Sequence, residues 1–483
     1  MIIKNIIFLH TFLFVITVSL PVPKVTLLKN EYNDLKLTKE IAQFLDEFIA
    51  ILLNTTKNNG YEKQSMYNNM YIEDDSKKDP IEVIEESGYF EGDMVLNPLQ
   101  SEKVLDQVIY NAEKNNINVS NIIDLKKRRK KRKIQIGESL EWDTAIQYYV
   151  EKEVNDSVVD EALKLMEKET CIKFERLYTV YKLRSGLRYF FGSSCYSHVG
   201  KASDFLPQDI SIGKGCGTIG TVQHETMHAL GVKHEQSRAD RDNYLKLYME
   251  NVKPNHEHNF IKLDLQSTLT YDTKYDYGST MHYHYKSFSK NKKQTMLPTF
   301  PLYLHTMGMD EKMSFLDVKL LNSHYCKDKC YNKLSCENGG YQDPNNCKIC
   351  KCIKGFKGST CSELPQPKKE CGDTVLYDIS KNPQKIIVNG TKRCLYHIKT
   401  DQGKRIKVEI KYLKYFPIKK YTCQKRNSLE IKYLKDKAQT GAFFCNAIEN
   451  LKFDSKNHHV IIHHRSQNES NSMELTFKTI TDE

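Results

Sequence analysis

Beyond residue 19 the chain has no run of 18 apolar residues, so it offers no helix suited to spanning a bilayer. It also has no leftover cysteine. The fourteen fall into groups of four, six and four, an even count that argues for disulfides in an oxidising compartment. Nor is there a basic excess before residue 327. Residues 1–133 carry 19 basic and 19 acidic residues, residues 134–326 carry 23 and 25, and residues 327–483 carry 30 and 17. The net charge of +11 therefore originates in the tail. That excess either solubilises a β-rich segment or attracts an anionic matrix polymer. Residues 5–19 form a short apolar run after Lys4 and read as a signal peptide cut near Ser19. A secreted, extracellular product with no membrane span and no nucleic-acid partner is expected. Sequons at Asn54, Asn118, Asn155, Asn389 and Asn468 are compatible with that route. A length of 483 residues leaves room for three or more domains.

What the chain does have is a dense cluster of metal-binding residue types. His224 and His228 are four apart, which on a helix places both imidazoles on one face, one turn apart. Glu225 sits between them, angled off that face and able to reach a metal-bound water. Gly231 can end the helix in a left-handed conformation and turn the chain back, so that His234 supplies a third nitrogen. Three neutral nitrogens with one open position suit a catalytic zinc, whose water has a pKa of about 7. Glu225 would accept its proton.

The extended pattern runs on through Glu235, Arg238, Asp240, Arg241 and Asp242 and resembles the zinc motif of astacin-family metalloproteases. Asp276-Tyr-Gly-Ser-Thr-Met-His-Tyr283 resembles that family's Met-turn. The resemblance implies that Met281 forms an apolar floor under the histidines. It implies that Tyr283 is a resting zinc ligand that swings away to steady the transition-state oxyanion. Phe90-Glu-Gly-Asp93 matches the family's prosegment switch, in which Asp93 takes the position that the catalytic water needs. Arg129-Lys-Lys-Arg132 resembles a furin-type processing site, and Trp142-x-x-x-Ile146-x-Tyr148 the start of a mature astacin domain, although Gln147 replaces the usual proline. The new N-terminus would then fold inward against Glu235. Gly308-Met309-Asp310 aligns with a stretch where many astacins carry an arginine, so acidic residues after the scissile bond should be less favoured.

By cysteine spacing alone the pairing stays open. The astacin resemblance implies Cys171–Cys326 and Cys195–Cys216. The crowded group from Cys330 to Cys361 ends in Gly355-Phe-x-Gly358-x-x-Cys361 and resembles an EGF module, implying Cys330–Cys347, Cys336–Cys350 and Cys352–Cys361. So small a unit needs such staples to fold. The tail alternates with period two over 385–388, 405–410, 429–434 and 460–462, suggesting a β-sandwich. It resembles a CUB domain, with Cys371–Cys394 and Cys423–Cys445 paired. Asn427 stands where calcium-binding CUB domains carry an aspartate, which puts a calcium site there in doubt.

The expected architecture is an α+β, two-lobed metzincin catalytic domain with zinc in its cleft. The boundaries are a signal peptide at 1–19, a propeptide at 20–132, a protease domain at 133–326, an EGF-like module at 327–362 and a CUB-like sandwich at 371–480. The expected activity is hydrolysis of extracellular proteins by a zinc endopeptidase made as a zymogen. The rival from another class is a matrix-binding protein with a dead protease fold, which would be free to lose Glu225, Tyr283, Asp93 or Arg132.

Overall fold

The structure, a computed structural model, describes residues 34–46 except 44, 87–114, 141–263, 268–377, 382–418 and 422–481. The leader, Asn54, Asn118, Arg129, Arg132, Lys419 and Lys420 lie outside the described residues.

The upper lobe is a six-stranded sheet. Its strands are β1 (Met94–Val95), β2 (Ala145–Val150), β3 (Lys173–Arg176), β4 (Gly186–Phe190), β5 (Cys195–His198) and β6 (Pro207–Ile212). Their spatial order is β1-β5-β6-β4-β2-β3, parallel except for the β5/β6 pair. The edge strand β1 comes from far upstream and pairs with β5 through Met94↔Ser197 and Val95↔His198. A tight loop delivers it: Glu91 and Gly92 have φ of 47° and 82°, and Gly92 N donates to Tyr89 O at 3.1 Å. The left-handed turn explains the glycine. Directly after β1, α1 spans Pro98–Lys114.

Two helices pack under the sheet. In α2 (Asp156–Glu169), Val159, Ala162, Leu163 and Met166 face inward at helical spacing. The second, α3 (Ile219–Ala229), is buried from Gly220 to its end, so it is a core helix rather than an amphipathic one. Its N-terminus is locally determined. Thr218 accepts from Thr221 N at 3.0 Å, and the hydroxyls of Thr218 and Thr221 donate to the two oxygens of Asp310 at 3.2 and 3.4 Å. A carboxylate there also suits the positive end of the helix. The sequence comparison of Asp310 with a specificity arginine thus meets a residue already occupied as a helix cap. At the other end Gly231 takes φ +92°, and its N donates to His228 O at 2.8 Å. Trp142 Nε1 donates to Ala229 O at 2.7 Å, tying the start of the domain to the end of α3. The fourth helix, α4 (Phe315–Tyr325), opens with a Ser314/Asp317 capping box.

Seven disulfides join Cys171–Cys326, Cys195–Cys216, Cys330–Cys347, Cys336–Cys350, Cys352–Cys361, Cys371–Cys394 and Cys423–Cys445. The first links the segment after α2 to the end of α4. Three more, from Cys330 to Cys361, staple a small module whose only strands are Tyr341–Asp343 and Asn346–Lys351.

The tail is two sheets face to face. Gln384–Asn389, Ser472–Ile480, Arg405–Lys414 and Ala447–Asp454 form one, in that order. Val375–Leu376, Arg393–Lys399, His459–Arg465, Ser428–Lys432 and Ala442–Phe444 form the other. The expected strand over 429–434 stops at Lys432, and every residue of Ser428–Lys432 is buried. Glu430 and Lys432 fall on the sheet's outer face by alternation, yet the rest of the chain covers that face. Ile406, Val408, Ile410, Leu429 and Ile431 share one apolar cluster with Tyr275, Tyr277, Tyr283 and Tyr303, so the sandwich and the segment after the three histidines have a continuous core. Among the described residues no helix is long and apolar enough to cross a membrane.

Replacing Asp310 with alanine removes the acceptor that fixes Thr218 and Thr221. Loss of a cap-type interaction costs about 1 kcal/mol, so thermal unfolding of Asp310→Ala should begin at lower temperature than wild type, and that of Asp310→Asn should fall between them.

Candidate metal centre

Helix α3 presents His224 and His228 one turn apart, and the Gly231 turn returns the chain so that His234 faces them. His224 Nε2 lies 3.1 Å from His228 Nε2 and 3.3 Å from His234 Nε2. Asp93, from the loop before β1, completes the group. Its carboxylate is 3.1 Å from His224 Nε2, 3.4 Å from His228 Nε2 and 3.3 Å from His234 Nε2. All four side chains are buried.

These separations fit a metal. Ligands about 2.0–2.1 Å from a tetrahedral zinc stand roughly 3.3 Å from one another. The outer ring nitrogens fit too. His224 Nδ1 donates to Thr280 O at 2.7 Å, His228 Nδ1 to Val232 O at 2.7 Å, and His234 Nδ1 to Glu91 Oε2 at 2.9 Å. A proton on each Nδ1 leaves each Nε2 with its lone pair turned inward, the tautomer a metal requires. The donor set, three imidazoles and a carboxylate, is one zinc accepts. Burial, seconded by the nearby charge of Asp93, pushes Glu225 well above its ordinary value. Among the described residues neither oxygen of Glu225 has a partner, and no part of the side chain is exposed. A carboxyl so placed has been kept free for something other than the fold.

The remaining site residues lie around this group. Met281 is buried in the core that also holds Val222, Met227 and Leu230 of α3 and the residue after it. Its carbonyl accepts from Glu235 N at 2.9 Å. The ring of Tyr283 stands 4.7 Å from that of His234, but its hydroxyl donates to the backbone oxygen of Glu91. The resting-ligand position read for Tyr283 is therefore not the one it takes while residues 89–93 are in place. Glu235, which burial pushes up to about 8, accepts from Asp276 N at 2.7 Å and faces Arg238 at 3.3 Å.

Glu91 is the residue that motif reading passed over. It contacts the centre twice, through its side chain on His234 and its carbonyl on Tyr283. A signal existed, since it is an acidic residue two positions from Asp93, but nothing in the sequence tells which histidine it serves.

Residues 135–326 match the Astacin peptidase family. The chain is 36% identical over 380 residues to zinc metalloproteinase nas-34 of Caenorhabditis elegans, covering 77% of this chain and 61% of that protein. It is 34% identical over 309 residues to nas-37 of the same nematode, covering 63% and 39%. The chain thus spans less than two thirds of either relative's length. Among solved structures, high choriolytic enzyme 1, a hatching enzyme zinc-protease from the medaka fish Oryzias latipes, shares 30% identity with a TM-score of 0.35, covering 40% of this chain and 98% of that one.

The geometry separates ligands from neighbours. Elemental analysis of purified protein should find about one zinc per chain. His228→Ala should lose it, because one of three nitrogens goes. Glu225→Ala should keep it, because Glu225 touches none of the four ligand atoms. Loss of zinc from Glu225→Ala would contradict this assignment.

Proposed function

We propose, from the match of residues 135–326 to the Astacin peptidase family, that the chain is a secreted zinc endopeptidase, hydrolysing extracellular proteins and made as a latent precursor. One observation carries the reading. A single upstream loop engages both the three histidines, through Asp93, and the hydroxyl of Tyr283, through Glu91 O. Those are the groups peptide hydrolysis would need. Residues 20–132 are then the propeptide, 133–326 the protease domain, 327–362 an EGF-like module and 371–480 a CUB-like sandwich.

Zinc, when held by His224, His228 and His234, supplies Lewis acidity to a peptide carbonyl and to a water. The protein's own part follows from where its groups stand. The Glu225 carboxylate takes a proton from the attacking water and hands it to the departing amine. Its burial without a partner keeps it available for both transfers. The Tyr283 hydroxyl, once released from Glu91 O, has a donor to offer the oxyanion. Thr280 O, Val232 O and, before activation, Glu91 hold the imidazole rings in orientation. Cleavage after Arg129 or Arg132 would free the loop.

Support for an extracellular route comes from the seven disulfides and from exposed sequon asparagines at 155 and 389. The dead-fold rival gains nothing from a Glu225 left unpartnered at full burial.

Three expression products test the proposal. Precursor with Arg129, Arg132 and their basic neighbours replaced by alanine should be inactive on a peptide library. Adding Asp93→Ala should give it measurable activity. Mature Glu225→Ala should lose several orders of magnitude in turnover. A double variant as silent as its parent would leave general occlusion of the cleft as the better account of latency.

The tail's basic excess remains a candidate contact for anionic matrix polymer, though part of it is already engaged. Lys411 and Lys452 pair with Glu409 at 2.9 and 3.5 Å. Lys425, one of the tail's 30 basic residues, directs its amine at Lys312 O, 3.2 Å away in the protease domain. Full-length protein should elute from immobilised heparin at a salt concentration that falls when Lys385, Lys407 and Lys478 are neutralised. Unchanged elution would leave solubility as the role of these charges.

A further inference from the structure

The turn that carries Met281 and Tyr283 is held from two sides. On one side the protease domain holds it: Asp317 of α4 accepts from Ser279 Oγ at 2.6 Å and from Thr280 N at 2.9 Å. On the other side stands a residue 164 positions from Asp276 in sequence. Thr440 donates its backbone N to Asp276 Oδ1 and its hydroxyl to Asp276 Oδ2, both at 3.0 Å. Gln439 Nε2 donates to Tyr275 O at 2.7 Å. The methyl of Thr440 fills the hollow beside Gly278, where an added Cβ would collide with it. Asp276 is buried and passes the constraint on: its Oδ1 accepts from Gly278 N at 3.2 Å, its carbonyl from Ser279 N at 3.0 Å, and its own N donates to Glu235. One contact of the sandwich therefore reaches the residue after His234 and the turn before Tyr283.

The loop that delivers Thr440 is built to hold its shape. Lys432 Nζ donates to Lys437 O at 3.0 Å and to Gln439 O at 2.5 Å. Gly441 N donates to Glu430 Oε1 at 3.1 Å, and the other oxygen of Glu430 is paired with Arg465. Ala438 N donates to Asp436 Oδ1 at 2.8 Å. Buried charges so used are an expensive way to shape a loop, since each costs desolvation and a packed apolar group would serve stability as well. Their effect is to fix one conformation, with Thr440 at the tip.

We infer that Thr440 is a positioning residue for the proposed peptidase, setting the Asp276–Met281 turn and through it Tyr283, so that the C-terminal sandwich is a working part of the active site. This rests on the peptidase reading of the centre. The test uses zinc-loaded, mature, full-length enzyme on a short peptide. Thr440→Val keeps the shape but removes the hydroxyl donor, and kcat should fall roughly tenfold, the scale for losing a group that orients a metal-site residue. KM and zinc content should stay put, and Thr440→Ser should restore the rate. Thr306 supplies the control. It accepts from Phe443 N at 2.9 Å in the same interdomain contact but outside the turn, so Thr306→Val should loosen docking and leave kcat alone. If Thr440→Val is not recovered folded, Thr440→Ala carries the same comparison. Wild-type kcat in Thr440→Val, a rise in KM alone, or an equal fall in Thr306→Val would each overturn the inference. A wild-type protein that binds zinc yet cleaves nothing would instead overturn the peptidase reading, and this inference with it.

Discussion

A buried carboxylate among three imidazoles is the contact on which the upper half of the molecule depends. Charge of one sign alone could not stay there, because desolvation would drive it neutral. A cation shared by the three inward nitrogens and the carboxylate would balance them, and three outward hydrogen bonds fix which nitrogen faces in. Two of those bonds end on backbone carbonyls, Thr280 O and Val232 O, so the geometry of the centre is written in main-chain conformation as much as in side chains. That explains why Gly231 matters. Its left-handed turn sets the position of Val232 as well as that of His234.

The lower half is organised by acidic residues in structural roles. Asp317 caps α4 and holds the Met281 turn, Asp276 joins that turn to Glu235 and to Thr440, and Asp310 closes the N-terminus of α3. Each accepts two or more hydrogen bonds at a point where chain segments far apart in sequence meet. A small apolar cluster makes the same junction hydrophobically, combining Leu316 of α4, Phe356 of the disulfide-rich module, and Ala438 and Ile461 of the sandwich. Protease lobe, module and sandwich are therefore not beads on a string.

The metal centre was legible because its spacing is dictated by one helix. Four residues make a turn and a glycine reverses the chain, so the three histidines need no long-range information, whereas Asp93, 131 positions from His224, was reached only through the prosegment motif. The strands over 405–410 and 460–462 were legible for a similar reason, alternation. The alternation of Leu429-Glu430-Ile431-Lys432 misled about exposure, because it marks the two faces of a strand but not what covers the second one. Thr440, Glu91 and Asp310 were illegible as partners. Each acts across 89 or more positions, and a hydrogen bond to a backbone oxygen or a buried carboxylate leaves no pattern in the residues between. Tyr283 was found by its place in a motif, yet its partner here, a carbonyl of the upstream loop, carries no residue signature at all.

Edge strand β1 occupies a row of sheet hydrogen bonds that would otherwise stand open. Ser197 N donates to Asp93 O at 2.9 Å and Val199 N to Val95 O at 3.4 Å. On its other side β5 already pairs with β6. If the upstream segment departs, β5 becomes an edge with unsatisfied amides, beside the histidines, and a bare edge recruits extended chain. On the proposed latent-precursor reading, the upstream segment and an incoming peptide would then be rivals for one row of backbone donors. Activation would consist of exchanging one strand for another as much as of uncovering a metal.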